Sequence, residues 1–168
     1  MKKILTSIVA GLIVMSCGDG DLQVETIDFN SISIQTCPDN NALMFKISSD
    51  EAIILQAANS LIVNEATVEG SPRTSEIPGN SKFLYRFFSN NVSSSYFCSE
   101  LPPATPIVND ELEATAGKVI VTTVEVIEND VTRYEHTINI EDLVLLNSNG
   151  ERIIDTNFEF GTLTTTPN

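Results

Sequence analysis

The chain of 168 residues has no tryptophan, one histidine, and nine lysines and arginines against 23 aspartates and glutamates. Each shortage excludes something. A formal net charge of −14 repels nucleic acid and anionic lipid headgroups, so nucleic-acid binding is excluded as a function. Without tryptophan the core mark of antibody-type domains is missing, and "immunoglobulin-like" would name an architecture only. One histidine leaves little for a metal centre or a general base. There is no Gly-x-Ser-x-Gly elbow and no glycine loop built to cradle phosphate. No apolar run approaches the ~20 residues of a membrane-spanning helix.

The uncharged stretch Ile4 to Met15 follows Lys2 and Lys3. As a helix it would reach about 18 Å at ~1.5 Å per residue, short of a ~30 Å hydrocarbon core. A positive start, a short apolar middle and a small residue before the cut describe a secretory signal peptide over residues 1–16. Val14-Met15-Ser16-Cys17 then resembles the lipobox of bacterial lipoproteins. The resemblance implies a diacylglycerol on the Cys17 sulfur, cleavage just before it, and an acylated new N-terminus. Val14 and Ser16 also satisfy ordinary signal peptidase, which would leave Cys17 a plain thiol. The cysteine at the first mature position favours lipidation. Each buried methylene contributes about 0.8 kcal/mol, and two or more chains anchor stably without a transmembrane helix.

Gly18-Asp19-Gly20-Asp21 resembles the acidic export signal that follows the lipid-bearing cysteine in lipoproteins of the Bacteroidota. That likeness implies Asp19 and Asp21 as the signal and the outer face of the outer membrane as the destination, the periplasmic face being the alternative. The same residues would also make a flexible acidic tether over 17–21. They lack the rest of an EF-hand loop, so no metal is expected there, and no cofactor anywhere.

Residues 1–16 hold two of the cations and none of the acids, so the remaining 152 residues carry seven cations against 23 acids, a net charge of −16. That length suits one domain with a real core. With Cys17 lipidated, Cys37 and Cys98 remain as a pair. An exported protein meets an oxidising compartment, which makes a disulfide between them the expectation. A metal site at these two lacks Cys-x-x-Cys spacing.

The mature chain alternates like strands. Residues 22–34 read as a bulged strand or two strands, and Leu43, Phe45 and Ile47 mark another. Residues 51–63 fit either helical spacing or two strands, one through Gln56 and one near 61–63, and strands are favoured. Prolines and glycines make 69–81 a loop. Phe83, Tyr85 and Phe87 alternate with Leu84, Arg86 and Phe88. Three prolines keep 101–106 out of a central strand. Lys118 to Val126 and Val131 to Ile140 flank the turn Glu128-Asn129-Asp130 and form the clearest hairpin. A second turn, Asn147-Ser148-Asn149-Gly150, separates Leu143–Leu146 from a last strand ending at Leu163. The expectation is an all-β, antiparallel β-sandwich over 22–163, immunoglobulin-like or related Greek-key, with a tail at 164–168.

The segments "YFCSELPPATP", "TAGKVIVTT" and "LLNSNGERI" resemble blocks in small, functionally uncharacterised flavobacterial lipoproteins, most clearly across residues 96–154. The resemblance implies a surface-anchored β domain and brings no catalytic residue. The favoured reading is a non-enzymatic envelope lipoprotein, binding outer-membrane lipid through Cys17 and an envelope protein or glycan through its domain. Most aromatics should fill the core. The candidate binding surface is the aromatic strand Phe83, Tyr85, Phe87 and Phe88 with nearby Tyr96 and Phe97; only one side of a strand faces in, so Tyr85 or Phe88 is a candidate for exposure. The alternative is a small surface hydrolase using carboxylates such as Glu125, Glu135 and Glu141, assisted by His136. Acids on strand faces are far more often simply solvated, and His136, in phase with Tyr134 and Ile138, suits packing better than catalysis.

Replacing Cys17 with Ala should release the protein from membranes and abolish labelling by an alkyne fatty acid. Replacing Asp19 and Asp21 with Ala should leave it lipidated but shielded from protease added to whole cells. An unlabelled native protein would reject the anchor.

Overall fold

The computed structural model describes residues 27–38, 40–146, 150 and 152–167. The sites expected at Cys17, Asp19 and Asp21, and the strand expected over 22–26, lie outside them. The fold is antiparallel and nearly all β. Its strands are β1 Gln35–Cys37, β2 Asn40–Ser48, β3 Glu51–Gln56, β4 Arg73–Ile77, β5 Lys82–Phe88, β6 Val108–Glu128, β7 Val131–Leu146 and β8 Arg152–Thr165, with one short helix, α1, Ser94–Cys98.

All eight strands belong to one sheet, in the order β1-β2-β3-β5-β6-β7-β8, and β4 joins on β6. β6 is the shared strand. Its first part pairs with β5, from Phe88↔Val108 to Leu84↔Glu113, and its middle pairs with β4, from Arg73↔Val121 to Ile77↔Gly117. β7 runs along its other edge. Between the two parts of β6 the register slips twice, around Ala114, Ala116 and Lys118. Gly117 there has φ +149, and a Cβ on it would lie 3.2 Å from Ile140 Cγ2 and 3.5 Å from the Leu143 Cα. Opposite, Asp142 of β7 has φ 50. Extra residues at matching places in neighbouring strands bend both together. The sheet therefore curls over its own inner face. Phe83 of β5 lies 5.5 Å from Phe158 and 6.2 Å from Phe160 of β8, ring to ring, although two strands separate β5 from β8 in the sheet.

The main core fills this curl. Met44, Ile53, Leu55, Phe83 and Tyr85 meet Val119, Val121, Ile138, Ile140, Leu145 and Phe160. A second, smaller core lies on the outer face of β2, β3 and β5, where Phe45, Ala52, Ile54 and Phe88 are covered by Tyr96, Phe97 and Cys98 of α1. β3 is thus buried on both faces, with Ala52 to Leu55 all enclosed. Continuous burial erases alternation, which is why 51–56 also fits helical spacing in the sequence, although the strand favoured there through Gln56 is present as β3.

Several expected elements differ. Residues 27–34 form no strand: Asp28 Oδ1 accepts the Asn30 N–H at 3.2 Å and the Phe29 carbonyl accepts the Ile32 N–H at 3.1 Å, which turns the chain. Residues 61–63 also turn, with Leu61 N–H donating to the Ala58 carbonyl, and Leu61 is buried as a turn residue. The expected loop 69–81 contains β4, because Pro72 and Pro78 bound five alternating residues without interrupting them. Residues 94–98 are helical, and β8 extends to Thr165, two residues past the expected end. The turn after β6 is as expected: Asn129 and Asp130 both take positive φ, 51 and 61, as a two-residue type I′ hairpin requires.

Cys37 and Cys98 are bonded, with Cα atoms 5.2 Å apart at a sequence separation of 61. The bond ties α1 to β1. A helix of one turn has no stability of its own. It is held by this bond and by ring contacts, Phe97 stacked on Phe45 at 4.6 Å and Tyr96 against Phe88 at 5.0 Å. Closing such a loop is worth about 4 kcal/mol in unfolded-state entropy. Urea unfolding of the variant with Cys37→Ala and Cys98→Ala should show a loss of about that size, and neither thiol of the unreduced native protein should take up an alkylating agent.

Candidate functional site

The helix that covers the outer face does not cover all of it. Beside α1 a cleft of about 330 Å³ remains. Ile54 and Leu84, register partners on β3 and β5, form its floor. Tyr96 and Phe97 form one wall, half-buried through the ring contacts that hold α1. Gln56 and Lys82, also register partners, stand at one end, exposed. Arg86 lies two residues past Leu84 on the same face, and its guanidinium donates to Glu111, its register partner on β6. An ion pair this exposed contributes only ~0–1 kcal/mol to stability, but it fixes the direction of the guanidinium. An apolar floor, an aromatic wall and a few convergent polar groups are the ordinary composition of a ligand site.

Of the aromatics expected to face a ligand, the structure brings Tyr96 and Phe97 to the cleft and leaves Tyr85 and Phe88 out of it. Tyr85 is 6% exposed and Phe88 3%. The expectation assumed one solvent face for β5; the curl encloses Tyr85 and α1 encloses Phe88. Tyr85 donates its hydroxyl hydrogen bond to Glu51 Oε2 at 2.6 Å and packs edge-on against Phe29. Sequence reading missed Gln56, Lys82 and Arg86. The alternation of Lys82, Leu84 and Arg86 places them on one face, but nothing local shows that α1 stops short of covering it.

The residues posed for hydrolysis are dispersed. Glu125 pairs with Tyr134 and Glu135 with Val124, neighbouring register positions, so the two acids point from opposite faces of the hairpin. Glu141 lies about 20 Å along β7 from Glu135 at ~3.3 Å per residue, and its carboxylate is 3.9 Å from Lys118 Nζ. Among the described residues no group of three or more His, Cys, Asp or Glu is placed to hold a metal ion.

His136 is fully buried. Its Nδ1 lies 2.8 Å from Thr123 Oγ1 and its Nε2 2.8 Å from Thr165 Oγ1. The partners further out fix where the protons are. Asn64 donates its amide to the Thr166 carbonyl at 3.2 Å, so its Oδ1 faces Thr165 and accepts that hydroxyl proton. Thr165 Oγ1 therefore accepts from Nε2–H. At the other end Arg73 donates to Thr123 Oγ1 at 3.0 Å, and the Thr123 hydroxyl donates to an unprotonated Nδ1. The chain from Arg73 to Asn64 is complete only with a neutral ring. Burial, and secondarily the Arg73 charge, hold the histidine below its ordinary value of 6.5. His136 is thus a structural link between β6, β7 and β8, with both nitrogens in use.

A lowered folded pKa has a definite sign. The unfolded chain takes up the proton first as pH falls, so this stabilisation is complete above about pH 6.5 and declines below it, until the folded ring also protonates. Unfolding free energy should fall between pH 7 and 5 by more in the native protein than in His136→Gln. A constant difference between the two across that range would contradict the neutral ring.

No protein-family profile, no curated protein and no solved structure matches this chain.

Proposed function

We propose that this protein is an envelope lipoprotein, held to the outer membrane by lipid on Cys17 and facing outward, whose domain binds a glycan in the cleft beside α1 without acting on it chemically. The observation that carries the binding reading is the convergence of Tyr96 and Phe97 with Gln56, Lys82 and Arg86 on one concave surface. A sugar ring has a flat face of C–H bonds, which the negative face of an aromatic ring attracts. Its rim carries oxygens suited to the amide of Gln56 and to charge-assisted bonds from Lys82 and Arg86. The protein has nine cations in all, and two of them line this cleft. Arg86 is paired with Glu111, and Lys82, which has no ion-pair partner among the described residues, favours sugars bearing carboxylates on so acidic a surface. The disulfide supports the same reading, since it fixes the aromatic wall in place before any ligand arrives, which lowers the ordering cost of binding.

Oligogalacturonate titrated into the purified mature protein should change tyrosine fluorescence saturably, the chain having no tryptophan to obscure it. Tyr96→Ala and Lys82→Glu should each weaken binding about tenfold, and a neutral cello-oligosaccharide should bind more weakly by a similar factor. Unchanged binding in both variants would remove the cleft from the proposal. Equal affinity for the neutral sugar would remove the acidic ligand class.

A further inference from the structure

A second cation is placed quite differently. Lys46 lies in the middle of β2 on the inner face, in phase with Met44, and is 3% exposed. It stands where the two ends of the curled sheet approach each other: a Cβ on Gly161 of β8 would come 3.3 Å from its Nζ. Nζ donates to the Phe29 carbonyl at 3.0 Å and sits 5.8 Å from the centre of the Phe160 ring. Among the described residues no carboxylate forms an ion pair with it; the four ion pairs there belong to Arg73, Arg86, Lys118 and Arg133. An ammonium has three N–H donors. A carbonyl and a ring face do not neutralise a buried charge, and burial without an anion is costly.

The lysine borders a pocket of about 220 Å³, lined by Asn30, Ser31, Ser33 and Thr162 together with Ile32 and Ile34. The lining mixes three hydroxyl side chains and an amide with two isoleucines beside one buried cation, and glycine at 161 leaves its head room.

We propose that this pocket binds a small monocarboxylate, whose oxygens pair with Lys46 Nζ and accept hydrogen bonds from the hydroxyl and amide donors along its rim. The charge count selects the ligand. One cation balances one negative charge, whereas a phosphate dianion would bring a second, uncompensated charge into a protein of net charge −14. Burial holds Lys46 below the ordinary lysine value, and a bound anion would offset that cost by pairing with the charge. The site is independent of the cleft beside α1, which lies on the opposite face of β2 and β3.

The mature chain has three lysines, Lys46, Lys82 and Lys118, so their side-chain NMR signals can be followed separately. Sodium acetate titrated into the mature protein at constant ionic strength, with chloride as the balancing salt, should move the Lys46 Cε and Nζ signals saturably and leave the other two unmoved. Thr162→Glu, an exposed substitution that places a tethered carboxylate at the rim, should weaken the acetate response at least fivefold. Lys46→Met should abolish saturable acetate binding; if that variant does not fold, the native titration and Thr162→Glu decide the question. A Lys46 signal that does not saturate with acetate, an equal response to phosphate, or a response untouched by Thr162→Glu would overturn the proposal.

Discussion

The bend in β6 and β7 is the constraint on which the rest of the structure depends. A flat sheet of this strand order would have one face to bury and no second layer to bury it against. Gly117 and Asp142 give the two longest strands a common fold line, and the sheet then supplies its own second layer. Space at Gly117 is short on one side, with Ile140 and Leu143 packed closely against it, so the bend is fixed by packing as well as permitted by glycine. Everything placed in the main core follows from this, including the meeting of Phe83 with Phe158 and Phe160.

Curling solves one face and leaves the other. β2, β3 and β5 carry apolar side chains on both sides, and the outer side needs a cover. The chain supplies a small one, a single helical turn held by a disulfide and two pairs of aromatic rings. So small a cover leaves the margin of the face open, and the cleft is that margin. The same cause thus accounts for the stability of the outer layer and for the presence of a site with an aromatic wall.

Two nitrogen-bearing side chains are buried by the curl, and they are accommodated by opposite means. His136 is enclosed in a chain of donors and acceptors that is complete with a neutral ring. Lys46 has a carbonyl, a ring face and a polar pocket. In the first case every polar atom is satisfied within the protein, as buried networks must be to stabilise a fold. In the second the positive charge has no negative partner among the described residues, and that difference is what separates a structural residue from a candidate site.

Alternation and turn chemistry, both local, made much of this protein legible from sequence. The hairpin around Asn129-Asp130 follows from residues that tolerate positive φ between two alternating runs, and the all-β class follows from many such runs. Where local signals were ambiguous, tertiary structure decided. Glu51–Gln56 lost its alternation because both of its faces are buried, and Arg73–Ile77 became a strand because β6 offered it an edge between two prolines. Tyr85 and Phe88 could not be placed in advance: which side of β5 meets solvent depends on a bend some thirty residues later and on a helix held by a distant cysteine. The sequence by itself determined that strands form and roughly where they turn. Only the tertiary structure decided which faces are enclosed and which cations are gathered or isolated, because burial depends on long-range packing that local periodicity does not encode.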